Sequence, residues 1–226
     1  MLARSHTIIN PETIIKLYKR GIFPMGDQDD SNHIFWCNPI VRAIIPISRL
    51  HISRSLKRLC NKKTFTFSIN YDFTTTITNC ANRDQTWINE SIISSYKNLH
   101  QLGYAHSIEV WEDKELKGGL YGVAIGKAFF AESMFSISSN GSKIALIALM
   151  GVLAFNKFLL LDVQFITKHL KTMGAKEVSR NLFLDLLQKS TSQRVQILKP
   201  DTLAIDKTLI KNAEKKLLVG ISELKH

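Results

Sequence analysis

Two residues suited to acid, base or positioning chemistry stand at the end of one apolar segment. Asp162 and Gln164 close the run that begins at Phe158. On a strand, residues two apart point to the same side, so a carboxylate and an amide would converge on one face. A carboxylate in that setting must be solvated, paired or functional, and a paired Asp capping the next helix is the plain alternative. Glu132 and Met134 repeat the spacing at the end of a second strand. An acid beside an apolar gap-filler suits a site holding both a cation and an apolar side chain, although Met in a strand is more often core. Trp87 opens a helix among polar neighbours, where it is either core or a stacking platform for a base.

Other chemistries find no support. There is no GxSxG, no HExxH and no GxxxxGK[ST], which argues against a serine hydrolase, a zinc hydrolase and a P-loop ATP site. The acetyl-CoA loop [QR]xxGx[GA] is missing before the central helix; Ser138-Ser139-Asn140-Gly141-Ser142 stands there instead. An acyl donor other than CoA fits better. Cys37, Cys60 and Cys80 are odd in number and contain no CxxC pair, so neither a disulfide framework nor a zinc knuckle is expected and a reducing cytosol fits. No metal and no cofactor are expected.

The chain is basic, with 30 Lys+Arg against 19 Asp+Glu, which favours polyanionic partners. From Val41 to Asn70 it carries Arg42, Arg49, Arg54, Lys57, Arg58, Lys62 and Lys63 and no acid. Arg54, Lys57 and Arg58 have the spacing of one helix face, and Ile52, Leu56 and Leu59 that of the opposite one. A helix seated on its apolar face would present a basic stripe; a plain solvated face usually mixes signs.

The elements that would position these residues follow from periodicity. Asn10 and Pro11 open a short amphipathic helix over 11–20. Phe65–Tyr71 alternates as a strand, and Ile88, Ile92, Tyr96 and Leu99 share one face of a helix ending at Gly103. Strands at His106–Glu112, Gly119–Ile125 and Lys127–Met134, with turns at Asp113-Lys114 and Gly126, make a meander. An apolar helix over 143–156, capped by Ser142, is followed by a buried strand, Phe158–Val163. Helices near 167–173 and 180–189 and a short strand at Val195–Leu198 complete the chain. This order is that of an acetyltransferase-like (GNAT) α+β fold with one mixed sheet. The run Ile144–Phe155 is shorter than the roughly 20 residues of a membrane span, and Met1 to Asn10 has no long apolar core, so a cytoplasmic protein is expected.

The segments Gly21-Ile22-Phe23-Pro24, His51-Ile52-Ser53-Arg54-Ser55, Thr86-Trp87-Ile88, Gly103-Tyr104-Ala105-His106-Ser107-Ile108-Glu109-Val110-Trp111, Glu132-Ser133-Met134-Phe135-Ser136, Leu161-Asp162-Val163-Gln164 and Met173-Gly174-Ala175-Lys176-Glu177 resemble, in order, those of bacterial leucyl/phenylalanyl-tRNA–protein transferases. The resemblance covers roughly residues 12–190. It implies a small N-terminal domain, here 1–64, packed on a GNAT-like catalytic domain, here 65–226. It implies aminoacyl-tRNA carrying Leu, Phe or Met as donor, proteins with N-terminal Lys or Arg as acceptors, and a product that marks proteins for degradation. By the same resemblance, Asp162 and Gln164 are the catalytic pair and Glu132 shares their site. Leu120, Met134 and Leu161 line the pocket for the donor side chain. Trp87 and Tyr96, with Met25, hold the terminal adenosine, and Arg54, Lys57, Arg58, Lys62 and Lys63 bind tRNA. Met25 stands where several members carry Trp, so one wall of the adenine slot is built differently, and Trp36-Cys37-Asn38-Pro39-Ile40-Val41-Arg42 departs from the usual Trp-Trp-Ser-Pro-Asp-Pro-Arg. Two other readings remain at this point: a CoA-dependent N-acetyltransferase on the same fold, and an RNA-binding module without catalysis.

Overall fold

The meander forms where alternating apolar residues meet turn residues that accept left-handed backbone. Strands β5 (Ala105–Glu112) and β6 (Glu115–Ile125) are joined through Asp113 and Lys114, both at positive φ (52° and 65°), the two-residue hairpin that matches strand twist. Gly126 (φ 58°) turns β6 into β7 (Ala128–Ser136). The computed structural model describes residues 8–27, 30, 33–47, 49–62, 65–192 and 203–204. Before the meander come α1 (Pro11–Tyr18), β1 (Phe23–Gly26), β2 (Ile34–Cys37), β3 (Val41–Ile45), α2 (Arg54–Lys62), β4 (Phe65–Ile69), α3 (Phe73–Ala81) and α4 (Glu90–Gln101). After it come α5 (Gly141–Phe155), β8 (Leu160–Gln164), α6 (Lys168–Thr172), β9 (Lys176–Ser179), α7 (Arg180–Thr191) and the two-residue β10 (Leu203–Ala204).

Eight strands make one mixed sheet in the order β10-β4-β5-β6-β7-β8-β3-β9, and β1 and β2 pair separately. One face is covered by α2 and α5, packed over residues such as Phe67, Val110, Leu120 and Leu161. The other is covered by α1, α3, α4 and α7, over Ile44, Tyr121, Phe130 and Leu160. Within the span 1–64, β1 and β2 have their own small sheet, whereas β3 runs between β8 and β9 in the large one. The apolar side of α2, Leu56 and Cys60, joins the core beneath that sheet.

Local chemistry explains the helix ends. Asn10 caps α1 by accepting from Glu12 N–H at 2.8 Å, with Pro11 at the first helical position. The apolar helix starts earlier than its periodicity suggests, and Asn140 rather than Ser142 precedes its first turn, with left-handed backbone and no side-chain cap. The first turn packs closely on β6, which requires glycine at 141: a Cβ there would stand 2.1 Å from the Lys117 carbonyl oxygen. The strand expected at Val195–Leu198 lies outside the described residues.

The feature that makes a site is the β7–β8 pair. It is the parallel step in an otherwise antiparallel sheet, and its ladder runs only from Ala128↔Leu160 to Phe130↔Asp162. Beyond that point both strands continue without pairing to one another.

Candidate active site

Where β7 and β8 part, the Ala131–Met134 and Val163–Phe165 segments line a cavity of about 240 Å³. Residues on its apolar, α5-side flank, Ala131, Met134, Val163 and Leu170, belong to one core. Phe23, Met25 and Trp87 on the other flank belong to the opposite one. The cleft therefore runs through the sheet.

Glu132 reaches this cleft because of a bulge. Gly122 pairs with Ala131 and Tyr121 with Ser133, which leaves Glu132 as the extra residue on β7. Its carboxyl turns toward α1 and α4, and the bulge resets the alternation, so that Met134 pairs with Leu120. Tyr18 hydroxyl contacts Glu132 Oε1 at 2.6 Å, Tyr96 hydroxyl contacts Oε2 at 3.2 Å, and the two hydroxyls lie 2.5 Å apart. Both phenols donate to the carboxyl. Burial pushes the Glu132 carboxyl up from 4.5 to about 8, the Tyr18 hydrogen bond opposes the shift, and the Asp162 charge adds to it. Burial and the Glu132 charge likewise hold the Tyr18 and Tyr96 hydroxyls well above the usual phenol range.

Gln164 ends β8 with positive φ (57°), an uncommon conformation for a residue with a side chain. Its backbone N–H donates to Asp162 Oδ1 at 3.0 Å, which helps hold it there. Its side-chain Nε2 donates to Glu132 Oε1 at 2.9 Å. That leaves the amide oxygen as an acceptor for a group in the cleft.

Asp162 itself does not line the cavity. It is 0% exposed, and its partner is Arg42, 1% exposed. Arg42 Nη2 donates to Oδ2 at 2.6 Å and Nε to Oδ1 at 3.0 Å, a two-pronged pair, and Nη1 donates to the Gly21 carbonyl at 3.3 Å. The guanidinium is sandwiched between the rings of Phe23 (4.3 Å) and Phe183 (4.8 Å). Ile44 pairs with Asp162 across β3 and β8, so Arg42 approaches from the neighbouring strand on the same face.

Glu132, Gln164, Met134, Met25 and Trp87 meet around the cleft. Leu120 and Leu161 are core, fully buried, with Leu120 directly beside Met134 on the next strand. Tyr96 is also fully buried, set beneath Glu132 with its ring edge-on to Tyr121 rather than along the cleft wall. On α2, Arg54 and Arg58 are exposed and Lys57 is half-buried, while Leu56 and Cys60, with Ile52 just before the helix, are buried beneath. The Lys62 side chain and Lys63 lie outside the described residues. The His51 N–H donates to the Met173 carbonyl at 3.0 Å, tying the approach to α2 to the end of α6. Arg42 and Tyr18 belong to the buried network, yet the sequence reading treats Arg42 as one more basic residue and Tyr18 as part of an amphipathic helix. Arg83 and His169 also line the cleft. No group of His, Cys, Asp and Glu among the described residues is arranged to hold a metal, and none of their helices is long and apolar enough to cross a membrane.

Comparison with known proteins shows a family for this chain. The profile described as leucyl/phenylalanyl-tRNA protein transferase matches residues 44–188, and that of its N-terminal domain matches residues 8–39. The leucyl/phenylalanyl-tRNA–protein transferase of Dinoroseobacter shibae is 44% identical over 197 residues, covering 87% of this chain and 88% of the relative. That of Roseobacter denitrificans is 44% identical over 192 residues, covering 85% and 91%. That of Paramagnetospirillum magneticum is 39% identical over 206 residues, covering 89% and 99%. With matches of that extent, the chain belongs to the leucyl/phenylalanyl-tRNA protein transferase family.

Proposed function

We propose that this protein transfers leucine, phenylalanine or methionine from aminoacyl-tRNA to the N-terminal Lys or Arg of acceptor proteins in the cytoplasm, creating a signal for their degradation. The observation that carries the reading is the cleft between β7 and β8. It joins an apolar flank at Met134 to a polar centre, Glu132 and Gln164, that is braced by buried groups.

The donor ester is already activated, so the amine nitrogen can attack its carbonyl carbon without ATP. The C–N bond forms, the ester C–O bond breaks, and the terminal ribose oxygen leaves with a proton from the amine. An α-amino group has an unperturbed pKa of about 7.7–8.0, so a useful neutral fraction exists near neutral pH, and positioning supplies much of the catalysis. Gln164 accepts a hydrogen bond from that amine through its side-chain oxygen. Glu132, protonated when the site is empty, ionises as the cationic acceptor arrives and offsets its charge. Asp162 acts one step back, as a positioning residue: it fixes the Gln164 backbone and neutralises Arg42. Met134, above Leu120 and Leu161, receives the donor side chain. Trp87 and Met25 flank the adenosine, with Tyr96 supporting from below. Arg54, Lys57, Arg58, Lys62 and Lys63, at the end of residues 1–64, meet tRNA phosphates. The parting of a parallel strand pair after a meander and a long apolar helix also supports a GNAT-like reading of the catalytic domain, residues 65–226.

Incubation with radiolabelled leucyl-tRNA and two acceptors that differ only in an N-terminal Arg or Gly tests the function. Label enters the Arg-starting protein alone. Equal labelling of both acceptors, or of neither, refutes it.

A further inference from the structure

One buried polar atom in the cleft has no partner among the described residues. His169, on α6, lines the cavity, and its Nε2 is buried with no hydrogen-bond partner among the described residues. Leaving such a group unsatisfied costs roughly 1–3 kcal/mol, which a ligand can repay. Its surroundings say what that ligand offers. Leu170, next in sequence, belongs to the same core as Met134 and Val163, the flank that takes the donor side chain, whereas Trp87 and Met25 stand on the other flank. The polar atoms of an aminoacyl group there are those around its ester. Burial and the nearby Lys143 charge push His169 down, toward the neutral imidazole, which has one N–H to give. With a lysine cation nearby, an electron-rich partner is favoured over an ammonium.

We propose that His169 is a further catalytic residue, donating from Nε2 to the carbonyl oxygen of the donor ester. As the amine lone pair forms the C–N bond, the carbonyl electron pair moves onto that oxygen, and His169 holds the negative charge. The pair returns when the ester C–O bond breaks. A neutral imidazole does this without giving up its proton. The assignment rests on the cleft being the transfer site proposed above.

His169→Phe keeps a planar ring and removes the donor; His169→Gln keeps an N–H. Single-turnover transfer from saturating leucyl-tRNA to an Arg-starting peptide is measured beside the donor Kd and a thermal melt. His169→Phe should lower the rate on the order of a hundredfold, the effect of losing one oxyanion donor, while the Kd moves less than about twofold. His169→Gln should stay within about tenfold of the wild-type rate. A near-normal rate for the Phe variant, a defect confined to Kd, or a Gln variant as slow as Phe overturns the assignment. If one variant does not fold, the other decides by the same criterion. Wild-type protein that transfers nothing overturns the functional reading, and this assignment with it.

Discussion

Replacing Asp162 with asparagine takes from the Arg42 guanidinium the carboxylate that it grips with two of its nitrogens. Both residues are almost fully buried, at 0% and 1% exposure. Asparagine keeps an oxygen for the Gln164 N–H but carries no charge, so a guanidinium is left in the interior with only the Gly21 carbonyl and two aromatic faces. Removing one partner of a buried pair destabilises by about 3–5 kcal/mol, a large share of a typical total of about 5–15 kcal/mol. For a chain of this size, each kcal/mol moves the melting temperature by about 2–4 °C, so Asp162→Asn should melt roughly 6–20 °C lower. Arg42→Met made on top of it removes the stranded charge and should recover much of the loss, giving a double mutant more stable than the sum of the singles. At a temperature where the single variant stays folded, transfer should still fall on the order of a hundredfold, because a loosened Gln164 misplaces the amine. The assay is a thermal and urea melt of all four proteins beside single-turnover transfer. An Asp162→Asn protein that melts with wild type, or a cycle without coupling, refutes the picture of Asp162 as the neutraliser of Arg42.

Glu132 gives a pH signature. Its pKa is near 4.5 when unfolded and about 8 in the folded protein, so between these values the folded state binds one more proton. The stability that Glu132 contributes is present below pH 4.5 and is lost as pH rises through 8, by on the order of 5 kcal/mol; urea melts of Glu132→Gln from pH 5 to 9 should lack this slope, and a parallel decline in both proteins would contradict it. Changing Arg54 and Arg58 together to Ala should weaken tRNA binding and flatten its salt dependence, since fewer counterions are released, while the melt stays put; unchanged affinity across a salt series removes α2 from the tRNA surface. The apolar flank at Met134 separates similar aliphatic donors by only about 1–3 kcal/mol per methylene, so leucyl, phenylalanyl and methionyl donors should all serve, and aspartyl transfer as fast as leucyl would rule that flank out.

Much of the frame could be read from periodicity. The meander, the long apolar helix and the strand bearing Asp162 were expected, and all lie within a few residues of their positions in the structure. Helix α3 was not foreseen because Phe73–Ala81 is rich in threonine, a weak helix former; the Asp72 cap and the buried Phe73 and Ile77 hold it instead. Strand β3 was hidden by its neighbours: Val41–Ile45 lies in an acid-free basic stretch that reads as surface, yet Arg42 turns inward because Asp162 waits on the adjacent strand β8, 120 residues away in sequence. Long-range pairing of that kind leaves no local trace. The same holds for the Tyr18–Tyr96–Glu132 cluster, whose members come from α1, α4 and β7. Alternation alone also misjudged β7, since the bulge at Glu132 puts it and Met134 on different faces.

The most direct test of the central claim is the mass of an Arg-starting peptide after incubation with leucyl-tRNA and either the wild-type protein or a Gln164→Ala variant. Wild type should add one leucine, joined to the α-amine, and the variant should add it at least a hundredfold more slowly. An unchanged peptide mass with wild type, leucine attached to an internal lysine, or a variant as fast as wild type would contradict it.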